Sequence, residues 1–124
     1  AGNRTLGARD PTAHAEILAL RQAGTALGSE RLVDCDLYVT LEPCAMCAGA
    51  IALARIRRLY FGAADPKGGG VEHGPRVFDQ PTTHHRPEVY GGFAEREAAE
   101  RALELVRPRY PDAFIARSTV TITR

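Results

Sequence analysis

The fold of this 124-residue chain is decided by the stretch Leu37-Tyr38-Val39-Thr40-Leu41-Glu42-Pro43-Cys44-Ala45-Met46-Cys47. Its first five residues are apolar, aromatic or β-branched, which is typical of a central strand, and Pro43 ends that strand. We expect a helix from about Cys44 to Ala54. Because a second apolar run, Leu59-Tyr60-Phe61, follows one helix later, we predict a β-α-β crossover with parallel strands in a sheet covered by helices.

Further elements are predicted on both sides of this unit. Before it, an apolar stripe that follows Thr12 predicts a first helix, with Thr12 as its N-cap and Gly24 as its end. After it, Glu88-Val89-Tyr90 is expected to form a short strand, and residues 94–106 have the composition of a helix. The chain alternates apolar and polar residues from Val120 onward, which predicts an edge strand.

The composition indicates one domain of an intracellular type. Hydrophobic residues make up 44% and charged residues 25% of the chain, which suffices for a single core. No apolar run approaches the roughly 20 residues of a membrane span, and the N-terminus lacks a signal-peptide pattern, so we expect a cytoplasmic protein without a membrane partner. The net charge of +1 gives no argument for or against a polyanionic partner.

Two short motifs place three metal-binding side chains near helix starts: His14-Ala15-Glu16 and Pro43-Cys44-Ala45-Met46-Cys47. The spacing of three puts both cysteines on one helix face. One imidazole and two thiolates form a typical zinc set that leaves the fourth tetrahedral position open for water. We therefore predict one Zn²⁺ bound by His14, Cys44 and Cys47, at a site where two helix N-termini meet. Glu16 is expected to accept a proton from the activated water.

A closed structural zinc site is the alternative interpretation of the same motifs. Its fourth ligand would come from Cys35, His73, His84 or His85. Cys35 has a simpler interpretation as a small buried hydrophobic residue, and His84 and His85 as loop residues. A closed site would have no use for Glu16, which favours the open site. Three arginines that follow the second helix are interpreted as solvated helix-end charges and not as phosphate contacts: Arg55, Arg57 and Arg58.

The H-x-E and P-C-x-x-C pair is the signature of zinc nucleobase deaminases. Within that class the chain resembles the bacterial tRNA adenosine deaminase (TadA) family. The resemblance is carried by Asp10-Pro11-Thr12-Ala13-His14-Ala15-Glu16-Ile17, Leu41-Glu42-Pro43-Cys44-Ala45-Met46-Cys47-Ala48-Gly49-Ala50-Ile51, Phe61-Gly62-Ala63-Ala64-Asp65-Pro66-Lys67 and His85-Arg86-Pro87-Glu88-Val89. It implies the cytidine deaminase-like fold, a three-layer α/β/α arrangement with a central mixed sheet, and a homodimer.

The resemblance also implies an activity, the hydrolytic conversion of adenosine to inosine at the wobble position of tRNA anticodons, with the tRNA anticodon stem-loop as partner. Glu16 would carry a proton from the activated water to the purine ring and then to the departing amine. The residues implied to line the nucleotide pocket are Asn3, Asp65 and Lys67, and those implied to lie near the RNA are His85 and Arg86. Asp65 could instead be a turn residue, and Asn3 could cap a loop.

The chain departs from the family pattern at both ends. Family members normally begin with a helix and two strands ahead of the Asn3 region, so we expect a sheet that lacks its first hairpin, with an exposed edge and an uncovered core face. After Ala99 the sequence also diverges from the family. We therefore assign residues 1–107 to an N-terminally incomplete zinc-dependent deaminase domain and residues 108–124 to a divergent C-terminal tail.

Three other functions remain open at this point. The first is a deaminase of a free base or nucleotide, of the guanine or cytosine type, because the zinc chemistry is shared. The second is an inactive truncated homologue. The third is a non-catalytic, zinc-stabilised partner subunit, against which Glu16 argues because a binding module would not need it.

Overall fold

The computed structural model describes residues 2–91 and 120–124, which form two helices, four strands and one 3₁₀ turn. The elements are α1 (Ala15–Leu27), β1 (Asp36–Leu41), α2 (Ala45–Leu53), β2 (Arg58–Ala63), the 3₁₀ turn Val77–Asp79, β3 (Glu88–Tyr90) and β4 (Val120–Thr123). The helix predicted for residues 94–106 and most of the tail assigned to residues 108–124 lie outside the described residues. In the part of the chain that is described, no helix has the length and apolar character needed to cross a membrane.

The four strands form one mixed sheet in the order β3-β2-β1-β4. β1 and β2 are parallel, with Leu37 opposite Leu59 and Val39 opposite Phe61, and β3 continues the parallel arrangement beside β2. This register confirms the predicted β-α-β unit. β4 runs antiparallel to β1, with Val120 opposite Val39, so the tail does form an edge strand in this sheet.

The core lies between one face of the sheet and the two helices. Alternate strand residues contribute to it because successive side chains of a strand point to opposite faces. The principal members from the strands and α2 are Leu37, Val39, Leu59, Phe61 and Ile51, all at most 8% exposed. Each such side chain contributes roughly 1.5–3 kcal/mol through burial. Cys35 also belongs to this core, which confirms its interpretation as a small buried hydrophobic residue.

The opposite face of the sheet carries an aromatic ladder. Tyr38, Tyr60 and Tyr90 occupy matching positions on β1, β2 and β3 and stack with centroid distances of 4.8 and 5.0 Å. α1 and α2 contact each other and pack on the core face, so they form one helical layer of the architecture. The helices and the mixed sheet agree with the predicted cytidine deaminase-like fold.

Two helix boundaries differ from the sequence prediction. Thr12 is not the N-cap of α1, because its N–H and hydroxyl both donate to Asp10 Oδ1 in a turn, and His14 takes the N-cap position. The predicted end at Gly24 is also wrong. The helix continues to Leu27 and ends at Gly28, which has the left-handed φ of 64° and donates its N–H to the Gly24 carbonyl.

Candidate active site and metal centre

The candidate metal centre lies where the N-termini of α1 and α2 meet. His14 and Cys44 are the residues immediately before the two helices, and Cys47 lies in the first turn of α2. His14 Nδ1 is 3.7 Å from Cys44 Sγ and 3.6 Å from Cys47 Sγ, and the three donor atoms all lie within 4.8 Å of one another. The packing of α1 beside α2 therefore brings together three side chains that are up to 33 positions apart.

The two nitrogen–sulfur separations of the donor set match those of a tetrahedral zinc site. Zinc lies about 2.3 Å from thiolate sulfur and about 2.0–2.1 Å from imidazole nitrogen, so a tetrahedral ion holds the two atoms about 3.5 Å apart. The observed separations of 3.6 and 3.7 Å agree with that value. Two sulfurs and one nitrogen are also ligands that zinc prefers. These three residues therefore fit the predicted ion.

Among residues 2–91 and 120–124, no fourth ligand joins the cluster. Cys35 is buried in the core, His73 Nδ1 lies 2.8 Å from a Glu42 oxygen, and His85 Nε2 lies 2.7 Å from the Ile56 carbonyl. His84 is exposed. In this part of the structure, none of the four candidates for a closed site joins the three-donor cluster.

Glu16 lies beside the cluster, in the first turn of α1. Burial raises the pKa of the Cys47 thiol, and the neighbouring Glu16 carboxylate and Cys44 thiol raise it further. A thiolate at Cys47 therefore requires positive charge among these groups, which a metal ion supplies. The same proximity places the Glu16 carboxylate where it can exchange a proton with a molecule bound at the metal.

One buried carboxylate near the site, Glu42, was not found by sequence reasoning. The Glu42 side chain, just after β1, is 0% exposed. Its Oε2 accepts hydrogen bonds from the backbone N–H groups of Val71, Glu72 and His73, at 3.0–3.1 Å. Its Oε1 accepts one from the Asp65 N–H at 3.1 Å and lies 2.8 Å from His73 Nδ1. Burial alone would raise the pKa of this carboxyl, but the hydrogen bonds outweigh it and lower the pKa below its usual value.

Two of the side chains predicted for the nucleotide pocket, Asp65 and Asn3, have local partners. Asp65 Oδ1 accepts hydrogen bonds from the N–H groups of Lys67 at 3.2 Å and Gly68 at 2.9 Å. Asn3 Oδ1 accepts two hydrogen bonds from Thr5, one from its N–H and one from its hydroxyl, both at 3.0 Å. Each residue thus has the turn-forming role that was the alternative interpretation. Asp65 also begins the loop that Glu42 holds.

His85 and Arg86 are not brought together with the metal cluster. His85 contacts Ile56, which precedes β2, whereas Asp65 follows β2. The six residues of β2 span about 20 Å, so the two positions lie at opposite ends of the strand. Arg86 forms an ion pair with Asp79.

The three arginines after α2 have partners within the chain. Arg57 donates two hydrogen bonds to the buried Asp36 carboxylate, at 2.9 and 3.0 Å. Arg58 donates to Glu88 at 2.9 Å, and Arg55 donates to the Ala52 carbonyl. These contacts join the starts of β1, β2 and β3 and the end of α2, so the arginines have structural roles.

The fold and the site together define a hydrolytic deaminase of the cytidine deaminase-like class. In agreement, the family model described as MafB19-like deaminase matches residues 2–103. The chain belongs to the tRNA-specific adenosine deaminase family. A tRNA-specific adenosine deaminase of Agrobacterium fabrum is 61% identical to it over 111 residues, which are 90% of this chain and 73% of that protein. The corresponding protein of Rickettsia bellii is 54% identical over 68% of this chain and 59% of its own length.

Solved structures give the same result. A structure from a study of A-to-I editing by tRNA:A34 deaminases at the wobble position has 66% identity and a TM-score of 0.73, over 74% of this chain and 71% of that one. A guanine deaminase from Nitrosomonas europaea is more distant, with 28% identity and a TM-score of 0.56 over 79% of this chain and 59% of that one. The family implied by the resemblance of the four stretches is therefore confirmed. The chain spans between about half and three quarters of the length of its curated relatives, with 54% of a Rickettsia typhi protein and 73% of the Agrobacterium protein covered.

Proposed function

We propose that this chain catalyses the hydrolytic deamination of adenosine to inosine at the wobble position of a tRNA anticodon, with one zinc ion held by His14, Cys44 and Cys47. The observation that carries the proposal is the three-donor cluster beside Glu16, which no fourth ligand joins within residues 2–91 and 120–124. Its support from the comparisons is the 61% identity to a protein named tRNA-specific adenosine deaminase.

The residues of the cluster suit this reaction. When bound, zinc supplies the Lewis acidity that makes water nucleophilic at neutral pH. Glu16 accepts the proton that the attacking water loses and delivers it to the purine ring, and a second transfer through the same carboxylate protonates the departing amine. The carbon–oxygen bond forms and the carbon–nitrogen bond breaks, so adenosine and water give inosine and ammonia. The two helix N-termini favour the negative charge of the thiolates.

We assign substrate contacts to two regions, one at each end of β2. We assign the base pocket to Asn3, Asp65 and Lys67, and this is supported by the position of Asp65 and Lys67 on the loop held by Glu42. His85 and Arg86, at the other end of β2, are assigned to outer contacts with the anticodon stem. An RNA hairpin is about 20 Å wide, comparable with the length of β2, so one hairpin could reach both regions.

We further propose a cytoplasmic homodimer in which residues 1–107 form the deaminase domain together with β4 of the tail, which pairs with β1 in the same sheet. Exposed apolar side chains on α2 support an association surface near the site, since Met46 is 38% and Leu53 is 69% exposed. Sedimentation of the purified protein tests this part, with a mass of about twice the 13.4 kDa chain as the expected result.

The activity is tested with a short RNA hairpin that carries a wobble adenosine. Inosine is measured by nucleoside mass spectrometry, and zinc is determined on the same sample. Free guanine and cytidine are assayed in parallel. The expected result is inosine formation with about one zinc per chain and no ammonia from the free compounds. Absence of inosine at full zinc content, with or without turnover of guanine or cytidine, would overturn the proposal for this chain.

A further inference from the structure

The buried Glu42 carboxylate has no part in the chemistry proposed for Glu16, yet five donor groups surround it. Four of them are backbone N–H groups of the segment that runs from Asp65 to His73, and the fifth is the His73 ring. A buried carboxylate with this many partners is stable only while all of them are in place. Glu42 and the Asp65–His73 segment therefore fix each other's position.

The same segment lies directly against the metal-binding helix. Gly70 donates its N–H to the Pro43 carbonyl at 2.8 Å. A Cβ added at Gly70 would lie 2.5 Å from Ala45 N and 2.8 Å from the Cys44 carbonyl carbon. These separations are too short for any side chain, so only glycine allows this approach. The segment thus forms a wall beside the Cys44 end of the cluster.

Glu42 also determines how closely the Asp65–His73 segment lies against α2. A Cβ on Gly69 would lie 2.4 Å from Glu42 Oε2, so the carboxylate also touches the segment where it turns toward α2. Glu42 is joined to Cys44 through Pro43 alone, whose ring restricts the backbone. The short rigid link places the carboxylate at a fixed distance from the cluster.

We propose that Glu42 is a positioning residue of the deaminase: it holds the Asp65–His73 segment against the N-terminus of α2 and so sets the place of Asp65 and Lys67 relative to the metal cluster. The effect of Glu42 on catalysis rests on the proposed function. The effect of Glu42 on the position of the segment does not depend on the substrate.

The test is Glu42→Gln in the zinc-loaded protein, with Glu30→Gln as the matched control on an exposed carboxylate. Glutamine keeps the shape but can accept hydrogen bonds on one side only, so either the three N–H groups at Oε2 or the two donors at Oε1 lose their acceptor. We expect unchanged zinc content, amide exchange in residues 69–73 that is at least about tenfold faster, and kcat/KM for the RNA hairpin lowered about 10- to 100-fold, mainly through KM. The control is expected to match the wild type.

Two results would overturn the proposal: amide exchange in residues 69–73 unchanged in Glu42→Gln, or kcat and KM within twofold of the wild type. If Glu42→Gln does not fold, Gly70→Ala is the second variant. Its methyl group would push the segment away from α2 while Glu42 stays intact. The same rise in KM is expected, with zinc retained. Wild-type kinetics of Gly70→Ala would then contradict the proposal. If the wild-type protein forms no inosine, the proposed function fails, and the exchange measurement still decides whether Glu42 holds the segment.

Discussion

His14 and Cys44 occupy the same position in two different helices: each is the residue immediately before the first helical residue, and His14 Nδ1 lies 3.7 Å from Cys44 Sγ. Neither side chain caps its own helix with a hydrogen bond. Both side chains are therefore free to act as ligands of the proposed ion. The positive ends of the two helices favour the thiolate forms of the cysteines.

The ligand assignment predicts different results for the same substitution at two cysteines. Cys44→Ala removes a metal donor, so the protein is expected to lose zinc and to unfold at a lower temperature. Cys35→Ala removes only a buried sulfur from the core, and we expect full zinc content with a loss of about 1 kcal/mol in the free energy of unfolding. Metal analysis and thermal unfolding measure both effects. Chelation of the wild-type protein should lower its unfolding temperature to that of Cys44→Ala. A full equivalent of zinc in Cys44→Ala would refute the assignment.

Glu16→Gln separates metal binding from proton transfer. Glutamine has the size of glutamate but does not accept a proton at neutral pH, so inosine formation is expected to fall about 10²- to 10⁴-fold. Zinc content should stay the same because the ligands are His14, Cys44 and Cys47. Glu30→Gln makes the same chemical change at an exposed position and is expected to keep the wild-type rate. Turnover by Glu16→Gln at the wild-type rate would remove Glu16 from the mechanism.

The ion pairs at the start of the sheet predict a contrast between a buried and an exposed acceptor. Asp36→Asn is expected to lower the free energy of unfolding by about 1–2 kcal/mol, because its buried carboxylate accepts two hydrogen bonds from Arg57. Glu88→Gln weakens the exposed pair with Arg58 and should cost less than about 0.5 kcal/mol. Urea unfolding measures both values. Equal losses for the two variants would show that the burial of Asp36 does not matter.

The sequence was informative where local pattern and chemistry agree. The apolar runs at Leu37 and Leu59 predict the parallel strands because buried parallel strands are continuously hydrophobic. The spacing of Cys44 and Cys47 predicts a shared helix face, which is the arrangement found. These features depend on residues close together in the chain, which is why they could be read without a structure.

Other features depend on contacts between distant parts of the chain. Glu42 follows a strand and precedes a proline, where a carboxylate is normally interpreted as a solvated turn residue. Its hydrogen-bond donors come from 23 to 31 positions further along, and four of the five are backbone N–H groups, which every residue type except proline supplies. The three glycines at Gly68, Gly69 and Gly70 were the available signal, because they indicate a close approach of backbone, but they do not identify its partner. The N-cap of α1 was misplaced at Thr12 for a different, local reason: the Thr12 hydroxyl donates to Asp10 Oδ1, two residues earlier.

The two glycines of the helices predict effects of opposite sign. Gly28 ends α1 with a φ of 64°, which an alanine adopts only at a cost, so Gly28→Ala is expected to lower the free energy of unfolding by about 1 kcal/mol. Gly49 lies inside α2, and a Cβ there would meet no atom within 4 Å. Gly49→Ala should therefore raise the free energy of unfolding by about 0.5–1 kcal/mol, because alanine favours helix more than glycine does. Neither residue is a metal ligand, so zinc content serves as the control for an intact site. Equal effects of the two substitutions on urea unfolding would show that the end of α1 at Gly28 does not depend on its left-handed backbone.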